Sequence, residues 1–324
     1  MQKQLWEDPK VIKINKEDGH VIAMPFDNVD SAISGEESKY KKSLNGEWKF
    51  YWQRGLENQP QNFEKPEFND KEWDNITVPS VWQTEGYSVP YYYASTFPRA
   101  ISRSKHKIPS IDHKMQEIGF YRKFFTLDDS WKKREIFIHF GAAKAALEVF
   151  VNGTFVGYSQ GSMTPHEFDI SKYVKFGEEN IVCAKVYRYS DGTYLEDQDM
   201  WWLCGIYREV YLFAESPVCL RDFFFRTKLD NYYKDAEIDL DLYINNYAGL
   251  KGNVTAEAHL ISDTGREFPI AEKTVPLGIN KTTISMKSEM KNPKKWSAEH
   301  PNLYTLVITV KHGEEIAAVN TYKV

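Results

Sequence analysis

The sequence predicts an all-β protein made of two sandwich domains in series. Short runs of alternating apolar and polar residues recur along most of the chain and end at turn-forming residues, which is typical of β-sandwiches. No helical periodicity is sustained over a comparable length. Aromatic residues make up 15% of the 324 residues, and such residues favour half-buried pleated surfaces. At about 100–200 residues per domain, this length predicts two domains.

The first predicted sandwich covers residues 44–216 and follows an extended N-terminal arm, residues 1–43. The arm is polar and irregular, with scattered proline and glycine. The strongest local signal of the sandwich is ALEVFVNGTFVGYS, in which two strand-like runs flank Asn152-Gly153. This dipeptide accepts the positive φ angles of a type I′ hairpin turn. Further predicted strands are LNGEWKFYW, GFYRKFFTL, EIFIHF, NIVCAKVYRY and REVYLFAE.

The second predicted sandwich covers residues 217–324. The sequence texture changes at Glu215-Ser216-Pro217, after which six or seven strand-like runs follow at regular spacing. Among them, DLDLYI and VTAEAHLI alternate with period two, as strands with one buried face do. The size and rhythm are those of an immunoglobulin-like sandwich.

Composition excludes several classes of function. With a net charge of −5, the chain has no basic face for nucleic acid. No apolar stretch is long enough to span a membrane. The N-terminus has no signal-peptide pattern, so a cytoplasmic location is expected; the alternative is a periplasmic protein whose export signal has been removed. The three cysteines form no disulfide framework or zinc pair, and His166 is expected in a turn.

The segment DGTYLEDQDMWW, residues 191–202, gathers acid and indole as no other segment does. Its carboxylates are those of Asp191, Glu196, Asp197 and Asp199. Asp191 is expected in a turn, and Glu196 and Asp197 are expected to brace the loop through backbone N–H groups. Trp201 is expected to pack and brace rather than to stack on a ligand. The acidic spacing is not that of a calcium loop.

Five stretches together resemble the β-galactosidases of glycoside hydrolase family 2, of the bacterial large-subunit type. The match runs in the family's order over nearly the whole chain, and LEDQDMW is its most specific part. The stretches are LNGEWKF (44–50), VPSVWQTEGY (78–87), VNGTFVGYSQGSMTPHEFDIS (151–171), SDGTYLEDQDMWWLCGIYREVYL (190–212) and NPKKWSAEHPNLYTLVITV (292–310).

The resemblance implies a jelly-roll, galactose-binding-like domain, then an immunoglobulin-like domain, then a catalytic TIM barrel. Both catalytic glutamates of this retaining family lie on the barrel, which takes about 250 residues. All 324 residues here resemble arm or sandwich, so the barrel is expected to be absent. The expected function is that of a non-catalytic N-terminal region of an enzyme that hydrolyses terminal β-D-galactosides, inactive by itself. The implied partners are the galactoside, the barrel and further copies in a homo-oligomer.

Asp199 is the residue that the resemblance marks for function. The family's aspartate at this position contacts galactose and helps to hold a sodium ion, so Asp199 is expected to bind substrate and sodium in an incomplete site. Sodium and magnesium are implied for the full-length parent, and no cofactor for this part alone. PYYYASTFP, residues 90–98, resembles a family stretch that supplies an asparagine to galactose, but here the position is Ala94. Loss of one such hydrogen bond costs about 0.5–1.5 kcal/mol.

Two other functions stay open at this point. One is a free-standing carbohydrate-binding or adhesion module built on the two sandwiches. The other is a family 2 glycosidase of altered specificity, because Ala94 replaces the usual asparagine. A free module would close its own site with exposed aromatics around it, whereas a fragment would present an unpaired apolar face near Trp201, Trp202 and the C-terminus.

Overall fold

The computed structural model describes residues 4–92, 108–196 and 199–324. Nearly all regular structure in these ranges is β, as the sequence predicts. One short α-helix, α1 (Val29–Ile33), begins after Asn28, whose side chain accepts a hydrogen bond from the Ser31 N–H at 2.9 Å. Three-residue or four-residue 3₁₀ turns lie at Leu5–Glu7, Asp129–Trp131 and Asp191–Tyr194.

The chain forms two compact units, and the first comprises Met1–Asp18, Lys42–Lys132 and Ile136–Leu212. The first thirteen strands, in chain order, are β1 (Lys13–Ile14), β2 (Lys41–Ser43), β3 (Gly46–Arg54), β4 (Asp74–Val78), β5 (Glu117–Phe125), β6 (Glu135–Phe140), β7 (Ala143–Lys144), β8 (Ala146–Val151), β9 (Thr154–Gln160), β10 (His166–Asp169), β11 (Asn180–Tyr187), β12 (Gly205–Ile206) and β13 (Val210–Glu215). They form a seven-stranded antiparallel sheet, β1-β9-β8-β11-β5-β3-β4, a four-stranded sheet, β10-β6-β13-β2, and the pair β12-β7.

Turn chemistry and burial explain the centre of this jelly-roll sandwich. Asn152 and Gly153 have φ angles of 50° and 82° between β8 and β9, the conformation that this dipeptide accepts best. β5 and β11 are buried at nearly every position, because both of their faces are covered.

The N-terminal segment is divided between the two units. Trp6 is fully buried, with its ring centroid 5.5 Å from that of Tyr187, and β1 pairs with the edge of β9. Residues 19–41 belong to the second unit, where the Phe26 N–H bonds the Val319 carbonyl at 2.8 Å. The predicted arm, residues 1–43, therefore contributes to the packing of both units.

His166 corrects one prediction. It is the first residue of β10, opposite Phe140 on β6, and not a turn residue. Its side chain is fully buried, with Nδ1 2.6 Å from the Ser159 hydroxyl. The prediction was wrong because the turn residues end at Pro165, and pairing with a distant strand decides the burial of the next position.

The second unit comprises Gly19–Lys41, Lys133–Glu135 and Phe213–Val324. Its further strands are β14 (Val218–Leu229), β15 (Ala236–Asn246), β16 (Asn253–Ile261), β17 (Glu267–Pro276), β18 (Lys281–Met290), β19 (Thr305–His312) and β20 (Glu315–Lys323). A three-stranded sheet, β14-β15-β18, and a four-stranded sheet, β17-β16-β19-β20, form an immunoglobulin-like sandwich. Leu240, Leu242 and Ile244 alternate into its core at 0% exposure, as their period-two pattern predicts.

Candidate functional site

The Asp199 loop, which we define as residues 191–204, begins with the 3₁₀ turn Asp191–Tyr194 and ends before β12. Asp199 is exposed, and its Oδ1 accepts a hydrogen bond from the Tyr92 hydroxyl. Trp201 pairs with Tyr92 in an isolated antiparallel bridge, and their ring centroids lie 5.7 Å apart. The Trp202 N–H bonds the Tyr91 carbonyl at 2.7 Å. The structure thus brings Asp199 and Trp201 together with a tyrosine that sequence reasoning missed.

The two tryptophans of the loop point to different surroundings. Trp202 is 3% exposed and Trp201 is 57% exposed, because successive side chains of an extended segment alternate in direction. The ammonium of the buried Lys144 lies 4.7 Å from the centre of the Trp202 ring, a cation–π arrangement. Trp201 is held through its backbone, and its ring is left as an exposed apolar surface beside Asp199.

Asp191 and Glu196 connect the start of the loop to the last residue of β9 and to Ser162 just after it. Asp191 is 8% exposed, and its Oδ1 accepts a hydrogen bond from Gln160 Nε2 at 2.6 Å. Glu196 accepts two hydrogen bonds from Ser162, one from the backbone N–H at 2.8 Å and one from the hydroxyl at 2.5 Å. Hydrogen bonds to a carboxylate are stronger than neutral ones, so these contacts fix the loop. Asp197 and Ala94 lie outside the described residues.

Arg188 and Glu117 are a buried ion pair beneath the loop that sequence reasoning also missed. Nη1 of Arg188 donates to Glu117 Oε2 at 2.9 Å, and their side chains are 2% and 6% exposed. A weak signal was present in the sequence: each charge adjoins apolar or aromatic residues, in EIGFY and VYRY. A charged residue in such a run is almost never fully buried unless it is paired.

The Tyr92 hydroxyl stays protonated at neutral pH. Its hydrogen bond to Asp199, and the negative charge of that carboxylate, raise the pKa of Tyr92 above its ordinary value. Nearby, burial raises the pKa of Tyr207, whose hydroxyl donates to the Ser162 carbonyl. At neutral pH the site therefore presents one phenolic donor bonded to one exposed carboxylate.

The oxygen atoms at this site are of the type that hard cations prefer. They are few, however: Asp199 supplies a carboxylate and Tyr92 a hydroxyl. Within the ranges that the structure covers, no group of three or more His, Cys, Asp or Glu side chains could hold a metal ion. The described donors fit a cation only in part, and the sodium prediction stays a prediction.

A cavity of about 590 Å³ lies in the second unit. Its lining is mostly apolar and includes Phe223, Tyr304, Tyr322 and Trp296, which belongs to the motif at 292–310. Every lining residue is part of the second unit, and none is part of the Asp199 loop. Among the residues that the structure describes, no helix is long and apolar enough to cross a membrane.

Sequence comparison identifies relatives along almost the whole chain. The β-galactosidase of Priestia megaterium is 38% identical over 310 residues, which are 94% of this chain and 30% of the relative. The β-galactosidase of Streptococcus thermophilus is 33% identical over 318 residues, 98% of this chain and 30% of the relative. The β-galactosidase of Clostridium acetobutylicum is 33% identical over 316 residues, which are 97% of this chain and 34% of the relative. The chain thus spans about a third of the length of these relatives.

Solved structures agree on the fold. A Bacteroides uniformis β-glucuronidase matches with a TM-score of 0.70 and 21% identity, over 87% of this chain and 31% of that one. A glycosyl hydrolase family 2 member from Bacteroides cellulosilyticus matches with a TM-score of 0.70 and 22% identity, over 88% of this chain and 35% of that one.

Two family models account for most of the chain. The one described as glycosyl hydrolases family 2, sugar binding domain, matches residues 41–216. The one described as glycosyl hydrolases family 2 matches residues 218–324. With both sandwiches matched and relatives found along almost the whole sequence, the chain belongs to glycosyl hydrolase family 2.

Proposed function

We propose that this chain is the non-catalytic N-terminal region of a retaining β-galactosidase. In this proposal the longer enzyme hydrolyses terminal β-D-galactosides with two glutamates on a catalytic barrel, and this region supplies one wall of the sugar site. Three findings support it: the family membership, the relatives named β-galactosidase, and the share of about a third that the chain spans in them.

The observation that carries the proposal is the exposed carboxylate of Asp199, held by Tyr92 beside the exposed ring of Trp201. Sugar hydroxyls donate to an ionised acceptor in hydrogen bonds that are stronger than neutral ones. A carboxylate fixed by a neighbouring hydroxyl is oriented before the sugar arrives. The Trp201 ring gives the catalytic barrel an apolar surface to pack against next to that carboxylate.

The chemistry of hydrolysis must come from elsewhere in the longer enzyme. A retaining glycosidase needs two carboxyl groups about 5–5.5 Å apart, one as nucleophile and one as acid/base. In the described part of the loop, Glu196 has both oxygens bonded by Ser162. Asp191 is 8% exposed and bonded by Gln160. Neither can therefore act with Asp199 on a glycosidic bond, and Asp199 is assigned to binding.

The proposal extends to the ions, assembly and location of the longer enzyme. Asp199 would be one oxygen ligand of a sodium ion, with the barrel supplying the others, and magnesium would serve the catalytic part. The enzyme would be a homo-oligomer in the cytoplasm. The family resemblance implies the ions and the homo-oligomer, and each of these properties is testable only on the longer polypeptide.

The chain alone provides the first test. A chromogenic β-galactoside should not be hydrolysed above the buffer rate. Galactose should shift the Trp201 indole N–H signal in an NMR titration with millimolar or weaker affinity. Asp199→Asn should abolish that saturable shift, whereas the matched control Asp129→Asn, at an exposed carboxylate of the same unit, should keep it. Hydrolysis by the chain alone would refute the proposal.

A free-standing carbohydrate-binding module is the second candidate. The exposed Trp201 ring beside Asp199 favours it, since a module needs an aromatic face and an acceptor on one surface. The same titration separates the two functions. Micromolar binding of galactose or lactose by the chain alone would favour the module, because a single wall has too few contacts for that affinity.

A further inference from the structure

Two irregular segments carry the candidate site. One is residues 88–92, which end in Tyr92, and the other is residues 199–204, which begin with Asp199. The only ladder pairing that the structure gives between them is the isolated bridge of Tyr92 with Trp201. Within the described residues of the two segments, one bridge is a weak connection. A further connection between the segments would therefore stabilise the Tyr92–Asp199 hydrogen bond.

The buried guanidinium of Arg188 makes that connection. Its Nη2 donates to the Val89 carbonyl at 2.9 Å and to the Trp202 carbonyl at 3.2 Å. Val89 lies three residues before Tyr92, and Trp202 lies three residues after Asp199. The guanidinium carbon, Cζ, also lies 4.7 Å from the centre of the Tyr91 ring. One side chain thus contacts both segments that carry the site.

Arg188 is itself fixed to the large sheet. It follows the last residue of β11, and its backbone N–H donates to the Glu117 carbonyl at 2.9 Å. Its Nη1 pairs with Glu117 Oε2 at 2.9 Å, and that carboxylate also accepts from the Ser88 hydroxyl. Because a guanidinium carries several donors in a rigid planar fork, it can serve the carboxylate and both carbonyls at once.

We propose, on the basis of the function proposed above, that Arg188 is a positioning residue for sugar binding: it clamps residues 88–92 to residues 199–204 and so holds Asp199 at Tyr92. It touches neither sugar nor ion and acts through the two segments. The far end of the second segment has a separate anchor, since the Cys204 N–H donates to Gln83 Oε1 at 3.1 Å. Loss of the clamp should therefore loosen the site without releasing the whole loop.

The structure offers a reporter and a matched control. The reporter is the Trp202 N–H, which crosses from one segment to the other to reach the Tyr91 carbonyl. The control is Arg122, a second buried arginine of the same unit. Its Nε pairs with Asp70 at 2.8 Å, and its Nη1 donates to the Lys65 carbonyl at 2.9 Å. In the described part of the chain, the hydrogen bonds of Arg122 to oxygen atoms go to Asp70 and to the carbonyls of residues 63, 65 and 68, and none of these lies in either segment of the site.

The experiment compares Arg188→Lys with Arg122→Lys in the full chain. Lysine keeps the charge for the buried carboxylate, but its one nitrogen cannot occupy the positions of both Nη1 and Nη2. Arg188→Lys should speed hydrogen exchange of the Trp202 amide by about tenfold or more, because a local opening becomes easier. Arg122→Lys should leave that rate within about twofold at a similar loss of global stability.

A general structural role would give another result. If both variants speed exchange at Trp202 equally, or if Arg188→Lys leaves it unchanged, the clamp is refuted. If Arg188→Lys does not fold, Glu117→Gln tests the same point, because it weakens the anchor of the guanidinium while preserving shape. In that variant, exchange at Trp202 should again rise more than at strand amides of β9, and a uniform rise would refute the clamp.

A galactose titration separates this inference from the proposed function. If galactose causes saturable NMR shifts in the wild-type chain and Arg188→Lys weakens the galactose affinity by about tenfold, both the proposed function and the clamp are supported. Saturable shifts that Arg188→Lys retains unchanged would refute the clamp alone. Faster Trp202 exchange in a protein that shows no galactose-dependent shifts would refute sugar binding by this wall and leave the mechanical connection intact.

Discussion

The two sandwiches place their charges differently. In the jelly-roll unit, Arg188 and Glu117 pair with side chains 2% and 6% exposed, and Arg122 pairs with Asp70 at 1% and 18%. In the immunoglobulin-like unit the pairs lie toward solvent. Arg226 and Asp241 are 41% and 21% exposed, and Lys287 and Asp239 are 83% and 38% exposed. The first unit contains charge in its interior, whereas the second holds an apolar core.

The difference follows from what each unit must hold in place. The jelly-roll unit carries long irregular segments, and their carbonyls must find donors when they are buried. Buried arginines supply several donors from one side chain, as Arg122 and Arg188 do for five backbone carbonyls. The immunoglobulin-like unit is mostly regular ladder, so alternating apolar residues suffice. Internal charge is thus associated with the unit that bears the candidate site.

Arg122→Ala should have the largest effect on stability. It leaves the Asp70 carboxylate and several buried carbonyls without their donor, which costs about 3–5 kcal/mol for a buried pair. Chemical denaturation followed by tryptophan fluorescence measures the loss in the first unit. The matched control is Arg226→Ala in the second unit, where an exposed pair contributes about 0–1 kcal/mol. Equal losses in both variants would remove the distinction between the units.

Leu240→Ala should have a slightly smaller effect, and on the other unit. Leu240 is fully buried in β15, and truncation of such a leucine costs about 3 kcal/mol in transfer and cavity terms. Hydrogen exchange should speed in the strands of the second unit and stay unchanged in β5 and β11. Tyr232→Ala, at a side chain 89% exposed, is the control and should change stability by less than about 0.5 kcal/mol. An equal loss of stability in Tyr232→Ala would argue that the apolar core is not the main source of stability of the second unit.

Acidification should destabilise the first unit by a smaller amount. Burial, with a contribution from the Lys16 charge, lowers the pKa of His166 to about 3. Below pH ~6.5 the unfolded chain therefore binds a proton that the folded chain excludes. As the pH falls, the free energy of unfolding decreases by up to about 1.4 kcal/mol per pH unit. Between pH 6.5 and 5 this amounts to about 2 kcal/mol.

Denaturation midpoints measured at pH 7 and pH 5 test whether acidification lowers the stability of the first unit. Other groups also titrate in this range, so the informative quantity is the difference between the wild type and His166→Asn. The variant should be less stable at pH 7 but lose less stability on acidification. An identical pH dependence in both proteins would show that His166 is not the group that titrates.

The sequence predicts what depends on local pattern. Period-two alternation locates β15 and β16, and Asn152-Gly153 locates a turn, since both signals reside in adjacent residues. The prediction for His166 was wrong because its burial depends on pairing with β6, which no neighbouring residue encodes. Tyr92 was missed for the same reason, because its partner Asp199 lies about 100 residues away along the chain. The sequence neighbours of Arg188 hinted at its burial, but its partner Val89 also lies about 100 residues away. The acidic-aromatic segment marked the location of the candidate site but not its supports.

The central claim is that Asp199 forms one wall of a sugar site completed by the rest of a longer enzyme. It is tested most directly by replacing the homologous region of the Priestia megaterium β-galactosidase with this chain and measuring kcat/KM on a chromogenic β-galactoside. Asp199→Ala in this chimera should lower kcat/KM by about tenfold to a hundredfold, as expected for loss of a charged hydrogen bond, while Asp129→Ala should leave it unchanged. Equal activity of the two variants would contradict the account.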